Sequence, residues 1–231
     1  TGFFVLSGFL ITRLLLAELD GTGGIDLGRF YLRRSVRIFP AYFVFLAGSA
    51  LLDALRGDPW PGQLILAGAL YTVNYYNAFQ GHEGPIAHAW SLAVEEQFYL
   101  LWPIGLLLLW RLPRPWLGPA LGVLVLGAMA WRSWCFLGLG LPPRYVYNAF
   151  ETRIDALALG CLLAVLLGLE RWCLAAEGVA RRSWWPLITV ALLGISRGLG
   201  SRSYHYSIGF TVDAALLALL LAQLLVLAGR P

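Results

Sequence analysis

Lysine is absent from this chain of 231 residues, and only 13% of the residues carry a charge. A soluble domain usually has about 25% charged residues. By contrast, 59% of the residues are hydrophobic and the mean hydropathy is +0.70. Apolar runs recur along the whole length, so lipid is the expected solvent for most of the surface. This composition excludes an ordinary soluble domain and predicts a multi-pass membrane protein.

Positive charge is supplied by arginine alone, with 17 residues and a net charge of +4. A sequence pI near 9.1 would also fit a nucleic-acid-binding protein. The arginines lie in short loops between apolar runs, however, where they orient membrane spans. We therefore expect no nucleic-acid partner, and membrane lipids instead.

Cysteine is scarce, and repeats and low-complexity tails are lacking. Cys135, Cys161 and Cys173 show neither metal-ligand spacing nor a disulfide framework, so we expect them to be small apolar fillers. No signal-peptide pattern precedes the first apolar run, in which the chain begins at Thr1. We expect residues 1–231 to form a single membrane domain that is a fragment of a longer protein.

The apolar runs predict an all-α, polytopic transmembrane bundle with about seven to eight segments present. The first, Phe3–Leu16, has Ser7 and Gly8 as a small-residue face for close helix contact. The expected later spans are Ala41–Leu55, Leu92–Trp110, Leu117–Leu137, Ile154–Leu169, Trp184–Ile195 and Ile208–Leu227. Leu27–Phe39 is expected to be a separate polar helix, because Pro40 should end it or start the next helix.

Gln63–Asn77 is apolar but short for a span, and runs of this length are more often re-entrant. The positive-inside rule helps to decide, with the loop that carries Arg29 to Arg37 taken as cytoplasmic. If the segment does not cross the membrane, most of the loop arginines are cytoplasmic. If it does cross, the loop arginines are divided evenly between the two sides of the membrane. We predict a re-entrant segment, which places His88–Glu96 near the outer side.

A polar motif opens the run His88–Pro103, HAWSLAVEEQFYLLWP. Ionisable groups cost about 2.5–3.5 kcal/mol each at bilayer depth, so Glu95 and Glu96 require something that offsets this cost. We expect them to belong to a polar reaction chamber. On a helix, Ser91 and Glu95 share a face and Tyr99 follows one turn later.

Several roles remain open for these side chains. A reaction chamber often needs a base that takes a proton, which His88 or Glu95 could supply, or Glu95 could orient another imidazole. Ser91 could equally be a helix N-cap and His88 an interfacial histidine. Glu96 points away from Glu95, and we expect it to pair with an arginine of a neighbouring span.

Four motifs occur in an order and spacing that resemble the membrane acyltransferase 3 family. They are FFVLSGFLIT (Phe3–Thr12), FYLRRSVRIFP (Phe30–Pro40), HAWSLAVEEQFYLLWP (His88–Pro103) and TRIDALALG (Thr152–Gly160). The resemblance implies about ten spans in the plasma or inner membrane. It also implies transfer of an acyl group, often acetyl, from cytoplasmic acyl-CoA to an envelope glycan, a glycolipid or another acceptor. It further implies an essential histidine upstream of Phe3, which this chain lacks, and the last span is expected to be missing too.

The resemblance points to Arg33, Arg34 and Arg37 as the donor site, where guanidinium groups would bind the phosphates of acyl-CoA. The alternative is that they anchor the helix to lipid phosphates, as we expect of Arg29. For Arg153 and Asp155 the family implies a structural or active-chamber lock. Acyl-CoA would be a co-substrate, and no bound cofactor is expected.

The favoured interpretation is thus an integral membrane acyltransferase. The alternative is a transporter or exporter whose relay includes Glu95, Arg153, Asp155 and Asp213. A transporter should show internal two-fold repeats, and we find none. A purely structural subunit would not explain four polar motifs in lipid.

A metal site is not expected either. His82, Glu83 and His88 lack the i, i+4 histidine spacing of a zinc-binding helix.

Overall fold

The computed structural model describes residues 1–81, 84–168 and 184–229, and within these ranges it contains helices and no strand. The helices are α1 (Gly2–Thr22), α2 (Leu27–Leu55), α3 (Gly62–Ala69), α4 (Val73–Gln80), α5 (Trp90–Leu109), α6 (Arg114–Ser133), α7 (Pro143–Asn148), α8 (Ile154–Leu167), α9 (Trp185–Leu199) and α10 (Phe210–Leu227). The predicted all-α class is confirmed.

Five helical stretches in the described ranges are long and apolar enough to cross a membrane. They are Gly2–Thr22, Leu27–Leu55, Ala87–Leu109, Arg114–Gly138 and Arg202–Leu227. Helices α8 and α9 are apolar but shorter, since fourteen residues of α8 extend only about 21 Å against a hydrocarbon core of about 30 Å. The protein is a multi-pass membrane protein with an all-α bundle.

Helix α2 corrects one prediction. Leu27–Phe39 and Ala41–Leu55 do not form separate helices, because α2 continues through Pro40 over 29 residues. Proline removes only one backbone donor, whereas a break in lipid would leave several backbone groups without partners, so continuing the helix is favoured. Asp26 caps the start of the helix, and its carboxylate accepts a hydrogen bond from the Arg29 backbone N–H at 2.9 Å.

The segment predicted to be re-entrant forms the two short helices α3 and α4. Each has eight residues and is about 12 Å long, so neither crosses the membrane. The chain turns between them at Tyr71, whose φ of 53° is unusual for a residue other than glycine. The Gln97 side chain of α5 donates hydrogen bonds to the Tyr71 carbonyl at 2.8 Å and to Asn74 Oδ1 at 3.0 Å. These bonds attach the turn to α5.

Helix α8 lies in the middle of the bundle and packs against α1, α6 and α10. Its contact with α1 is close enough to require glycine on both sides. A Cβ on Gly8 would lie 2.1 Å from the Leu157 carbonyl oxygen, and one on Gly160 would lie 2.1 Å from the Val5 carbonyl oxygen. The predicted small-residue face of α1 is therefore confirmed at Gly8.

Two of the later spans are longer than the sequence predicts. Helix α6 continues into a π-helical turn at Trp134–Gly138. A short helix at Arg202–Tyr204 and a π-helical turn at His205–Gly209 precede α10. Between α6 and α8, α7 and the 3₁₀ turn Phe150–Thr152 were not predicted. The predicted end of α8 at Leu169, together with Arg171, Cys173, Arg181, Arg182 and Arg230, lies outside the described residues.

The contact between α1 and α8 can be tested with one methyl group. Gly160→Ala should destabilise the full-length protein by about 1–3 kcal/mol, because the added Cβ meets a backbone oxygen that cannot rotate away. Gly122→Ala, on α6, is the matched control: nothing lies within 4 Å of its Cβ, so it should be neutral or stabilising by up to about 1 kcal/mol. Denaturation in detergent micelles measures both, and equal stability of the two variants would contradict the close contact.

Candidate active site

Helices α2 and α5 run antiparallel and enclose the candidate site. The Tyr31 hydroxyl, near the start of α2, donates to the Leu100 carbonyl of α5 at 2.7 Å. Further along α2, the Phe45 ring lies 5.7 Å from the His88 ring, just before α5 begins. The arginine-rich start of α2 is therefore beside the middle of α5, and the part of α2 around Phe45 is beside the start of α5.

A cavity of about 310 Å³ lies at the arginine-rich end of α2, between α2, the turn after α3, and α5. We call it the inner cavity. Aromatic rings form much of its wall, and its polar side chains come from α2 and α5. The residues that matter below are Phe30, Arg34, Tyr71, Glu96, Gln97 and Tyr99.

A second, more open space of about 510 Å³ lies nearer the start of α5, and we call it the outer groove. Arg37 of α2 lines it opposite His88 and Ser91. His88 is exposed, and Ser91 lies within α5 and does not cap it, since the helix begins at Trp90. The structure thus brings together two of the three residues proposed as catalytic, together with one of the three arginines.

Glu95 follows Ser91 by one turn of α5 but does not line the outer groove, and its carboxylate faces α1. Its side chain is 2% exposed and accepts a hydrogen bond from Ser7 Oγ at 2.6 Å. A second bond between the same helices joins Trp102 Nε1 to Thr12 Oγ1 at 2.8 Å. The Ser7 partnership was missed, because sequence analysis treated Ser7 as packing only. A hydroxyl inside an apolar span was the available signal, since such groups hydrogen-bond across helices.

Glu96 faces the inner cavity, and the ion pair predicted with an arginine of a neighbouring span does not form at contact distance, although Arg34 of α2 interacts with its charge. It has no salt bridge among the described residues, and its Oε1 is buried without a hydrogen-bond partner. The nearby Arg34 instead places its guanidinium over the Tyr99 ring at 4.8 Å and at 5.9 Å from the Phe30 ring. Stacking on these rings holds Arg34 beside the cavity, so that its guanidinium does not form a salt bridge with the Glu96 carboxylate.

The three arginines proposed for donor binding occupy three different surroundings. Arg34 lines the inner cavity and Arg37 lines the outer groove. Arg33 is half exposed, and its Nη2 lies 3.8 Å from the Glu18 carboxylate. Arg29, expected to be an anchor, pairs with Asp26 on the exposed surface at 3.7 Å. The row of guanidinium groups therefore leads from one space to the other along α2.

Asp155 is paired with an arginine that the sequence analysis did not single out. Arg132 of α6 donates to Asp155 Oδ2 at 2.6 Å, and both side chains are buried. The same oxygen accepts a bond from Thr211 Oγ1 at 2.5 Å. Arg132 also donates to the Ser207 and Thr152 carbonyls. An arginine within the predicted span Leu117–Leu137 was the signal for this network.

Arg153 has a different environment from its neighbour in sequence. Its guanidinium is buried and lies 4.1 Å from the centre of the Phe210 ring, with the Phe4 ring at 5.7 Å and the Tyr147 ring at 5.6 Å. Its Nη2 donates to Thr1 Oγ1 at 3.0 Å. Neither Arg153 nor Asp155 lines the inner cavity or the outer groove. Both are buried within the bundle.

Two further carboxylates hold helices together. Glu151 accepts hydrogen bonds from the Tyr75 hydroxyl at 2.7 Å and the Tyr145 hydroxyl at 2.5 Å, which joins α4 to α7. Burial, followed by the bond to Glu151, raises the pKa of both tyrosines, so they remain donors. Asp213 accepts bonds from Ser196 Oγ at 2.8 Å and Arg197 Nε at 3.0 Å, which joins α10 to α9.

Of the three residues considered above for a metal site, His82 and Glu83 lie outside the described residues. The described part of the chain has no cluster of three or more histidine, cysteine, aspartate or glutamate side chains suited to a metal ion.

The bundle and its buried charges define a membrane protein with a polar interior, and comparison with known proteins identifies its family. Residues 1–230 match the family model described as an acyltransferase domain. The chain belongs to this family, the membrane acyltransferase 3 family that its motifs resemble, so the predicted assignment is confirmed. No solved structure matches the chain.

Named relatives agree with this assignment. The chain is 34% identical to "Peptidoglycan O-acetyltransferase OatA" of Listeria monocytogenes, over 73% of this chain and 29% of the relative. It is 32% identical to "Putative peptidoglycan O-acetyltransferase YrhL" of Bacillus subtilis, over 73% and 28%, respectively. It is 37% identical to "Putative O-acetyltransferase SACOL0978" of Staphylococcus aureus, over 71% and 29%. The chain spans less than a third of the length of these relatives.

The pair Arg132–Asp155 leads to a prediction about stability. Arg132→Met or Asp155→Leu alone should cost about 3–5 kcal/mol, because each leaves a buried charge without its partner. The double variant should cost much less than the sum of the two single variants. Arg56→Ala is the control, since it breaks the exposed pair with Asp53 and should cost less than about 1 kcal/mol. Denaturation of the full-length protein in detergent measures these changes, and additive single costs would contradict the pairing.

Proposed function

We propose that the protein containing this domain is a membrane O-acyltransferase that moves an acetyl group from acetyl-CoA to a hydroxyl of a cell-envelope glycan. The observation that carries the proposal is the row of arginines on α2, which leads from the inner cavity to the outer groove. The family and the names of the relatives support the reaction class. The cell membrane would then separate a cytoplasmic donor from an external acceptor.

The donor would enter at the arginine-rich end. Acyl-CoA carries a pyrophosphate and a ribose phosphate, and guanidinium groups bind phosphate oxygens with two parallel hydrogen bonds. Arg33 is half exposed and Arg34 lines the inner cavity, so together they offer one group outside the cavity and one inside. Arg37, one turn further along α2, would complete the donor site.

The acceptor hydroxyl would lie in the outer groove. Its oxygen attacks the thioester carbonyl carbon, the carbon–sulfur bond breaks, and CoA leaves as the thiolate. The hydroxyl proton must pass to a base, and His88 is the imidazole that lines the groove. Ser91, on the same wall, would hold the acceptor by a hydrogen bond.

Glu95 has a positioning role in this scheme. Its carboxylate is buried and bonded to Ser7, so it is not placed to take a proton from a group in the outer groove. It fixes α5 against α1; α5 directly follows His88 and carries Ser91, Glu96 and Tyr99. The geometry of both spaces therefore depends on this bond.

Peptidoglycan is the favoured acceptor, because two of the relatives are named for it. A transporter is not favoured, since the named relatives are O-acetyltransferases. Acetyl, the group in those names, is likewise the favoured acyl group.

Donor binding can be tested by removing two arginines. Arg33→Ala combined with Arg37→Ala should raise the KM for acetyl-CoA by about 10- to 100-fold, as expected for losing one or two hydrogen bonds to charged groups. Transfer of radiolabelled acetyl to cell-wall glycan by the full-length protein is the measurement. Arg29→Ala is the control, because Arg29 pairs with Asp26 on the surface, and its KM should change less than twofold. An unaltered KM in the double variant would refute donor binding by these arginines.

The roles of His88 and Glu95 can be separated by their effects on rate and stability. His88→Ala should lower kcat by about 10²- to 10⁴-fold with little loss of stability, because the side chain is exposed and acts only on the proton. Glu95→Leu should lower stability and activity together, because Ser7 loses its buried partner. Ser7→Ala in the Glu95→Leu background should recover part of the stability. A Glu95→Leu variant with normal stability and no activity would contradict the positioning role.

A further inference from the structure

The inner cavity contains two buried polar atoms that lack a hydrogen-bond partner. They are the Tyr71 hydroxyl, on the turn between α3 and α4, and Glu96 Oε1 on α5. Tyr71 is only 8% exposed. A buried polar group left unsatisfied is destabilising, and most such groups in folded proteins are paired. Two of them lining one cavity indicate a ligand that supplies both partners.

The Tyr71 hydroxyl is held in place by its surroundings. The residue has a φ of 53°, which is a strained backbone conformation for a residue other than glycine. The Gln97 side chain helps to offset this strain by donating a hydrogen bond to the Tyr71 carbonyl at 2.8 Å. The ring stacks on that of Tyr42, with centroids 4.2 Å apart and an angle of 25° between the planes. Strain of this kind concentrates at ligand sites, where it fixes a group in advance.

The two atoms offer complementary chemistry. Burial, and then the nearby Glu96 carboxylate, raises the pKa of Tyr71, so its hydroxyl remains a donor at neutral pH. Glu96 Oε1 is an acceptor. A secondary amide matches both, because its carbonyl accepts one hydrogen bond and its N–H donates another. The aromatic walls suit a narrow, largely apolar chain around that amide.

We propose that Tyr71 and Glu96 bind an amide of the pantetheine arm of acyl-CoA: the Tyr71 hydroxyl donates to the amide carbonyl, and the amide N–H donates to Glu96. This rests on the proposed function. A volume of about 310 Å³ is small for a whole nucleotide cofactor but suits an extended arm. The nucleotide phosphates would remain at the arginines, and Gln97 would act as a positioning residue that holds Tyr71.

The first test is Tyr71→Phe in the full-length protein, which removes one oxygen and keeps the stacked ring. Binding of acetyl-CoA, measured by calorimetry in detergent, should weaken about three- to tenfold, as for the loss of one hydrogen bond. In transfer assays the KM for acetyl-CoA should rise by the same factor, while kcat and the KM for the glycan stay within twofold. Tyr76→Phe is the matched control on α4, because Tyr76 lines neither space, and it should leave binding unchanged.

The second test uses a donor without amides, the thioester of acetate with propanethiol. With this donor, Tyr71→Phe should have no effect, because the group that Tyr71 binds is absent. The same loss with both donors would overturn amide recognition, and so would unchanged acetyl-CoA binding in Tyr71→Phe. A rise in the glycan KM alone would assign the cavity to the acceptor and also overturn the proposal.

The outcomes also distinguish this proposal from the proposed function. If the wild-type protein binds acetyl-CoA but transfers no acetyl group, the function fails while Tyr71→Phe still decides the inference by calorimetry. If the wild-type protein does not bind acetyl-CoA, both are overturned. If the wild-type protein transfers acetyl and Tyr71→Phe binds acetyl-CoA as tightly as the wild type does, the inference fails and the proposed function stands.

Discussion

The close contact between α1 and α8 is the constraint on which the candidate site depends. Gly8 and Gly160 let the two backbones meet without side chains between them, and this fixes the rotation of α1. Ser7 lies about 100° around the helix from Gly8, so it points towards α5 and meets Glu95. The position of α5, and with it the inner cavity and the outer groove, follows from how closely α1 approaches α8.

The polar side chains fall into two groups by their partners. Asp155, Asp213 and Glu151 are each bonded to groups on other helices and hold the bundle together. Glu96 and Tyr71 each have a buried oxygen without a partner, and both line the inner cavity. Asp155 Oδ1 and two guanidinium nitrogens of Arg153 are also buried without a hydrogen-bond partner, but these residues line neither the inner cavity nor the outer groove. Position, rather than the lack of a partner alone, therefore separates the structural network around α8 from the site between α2 and α5.

Much of the fold could be predicted from the sequence, because the hydropathy of a segment's own residues is enough to identify it as a membrane span. The polar motif of α5 was found for the same reason, since carboxylates are rare in such runs. The partners of these groups were harder to predict. Ser7 and Glu95 are 88 residues apart, and Arg132 and Asp155 belong to different helices, so pairing them requires the helix arrangement. Helix α2 was divided at Pro40 because rules from soluble proteins overstate the effect of proline in lipid.

The stacking of Arg34 on Tyr99 has a chemical consequence for the proposed donor site. A thioester is an acylating agent, and a primary amine held beside it would be converted into a stable amide. The guanidinium supplies the positive charge but stays protonated and is a poor nucleophile. Since the chain has no lysine at any of its 231 positions, it presents no ε-amino group to the donor. The site is thereby protected from acylating itself.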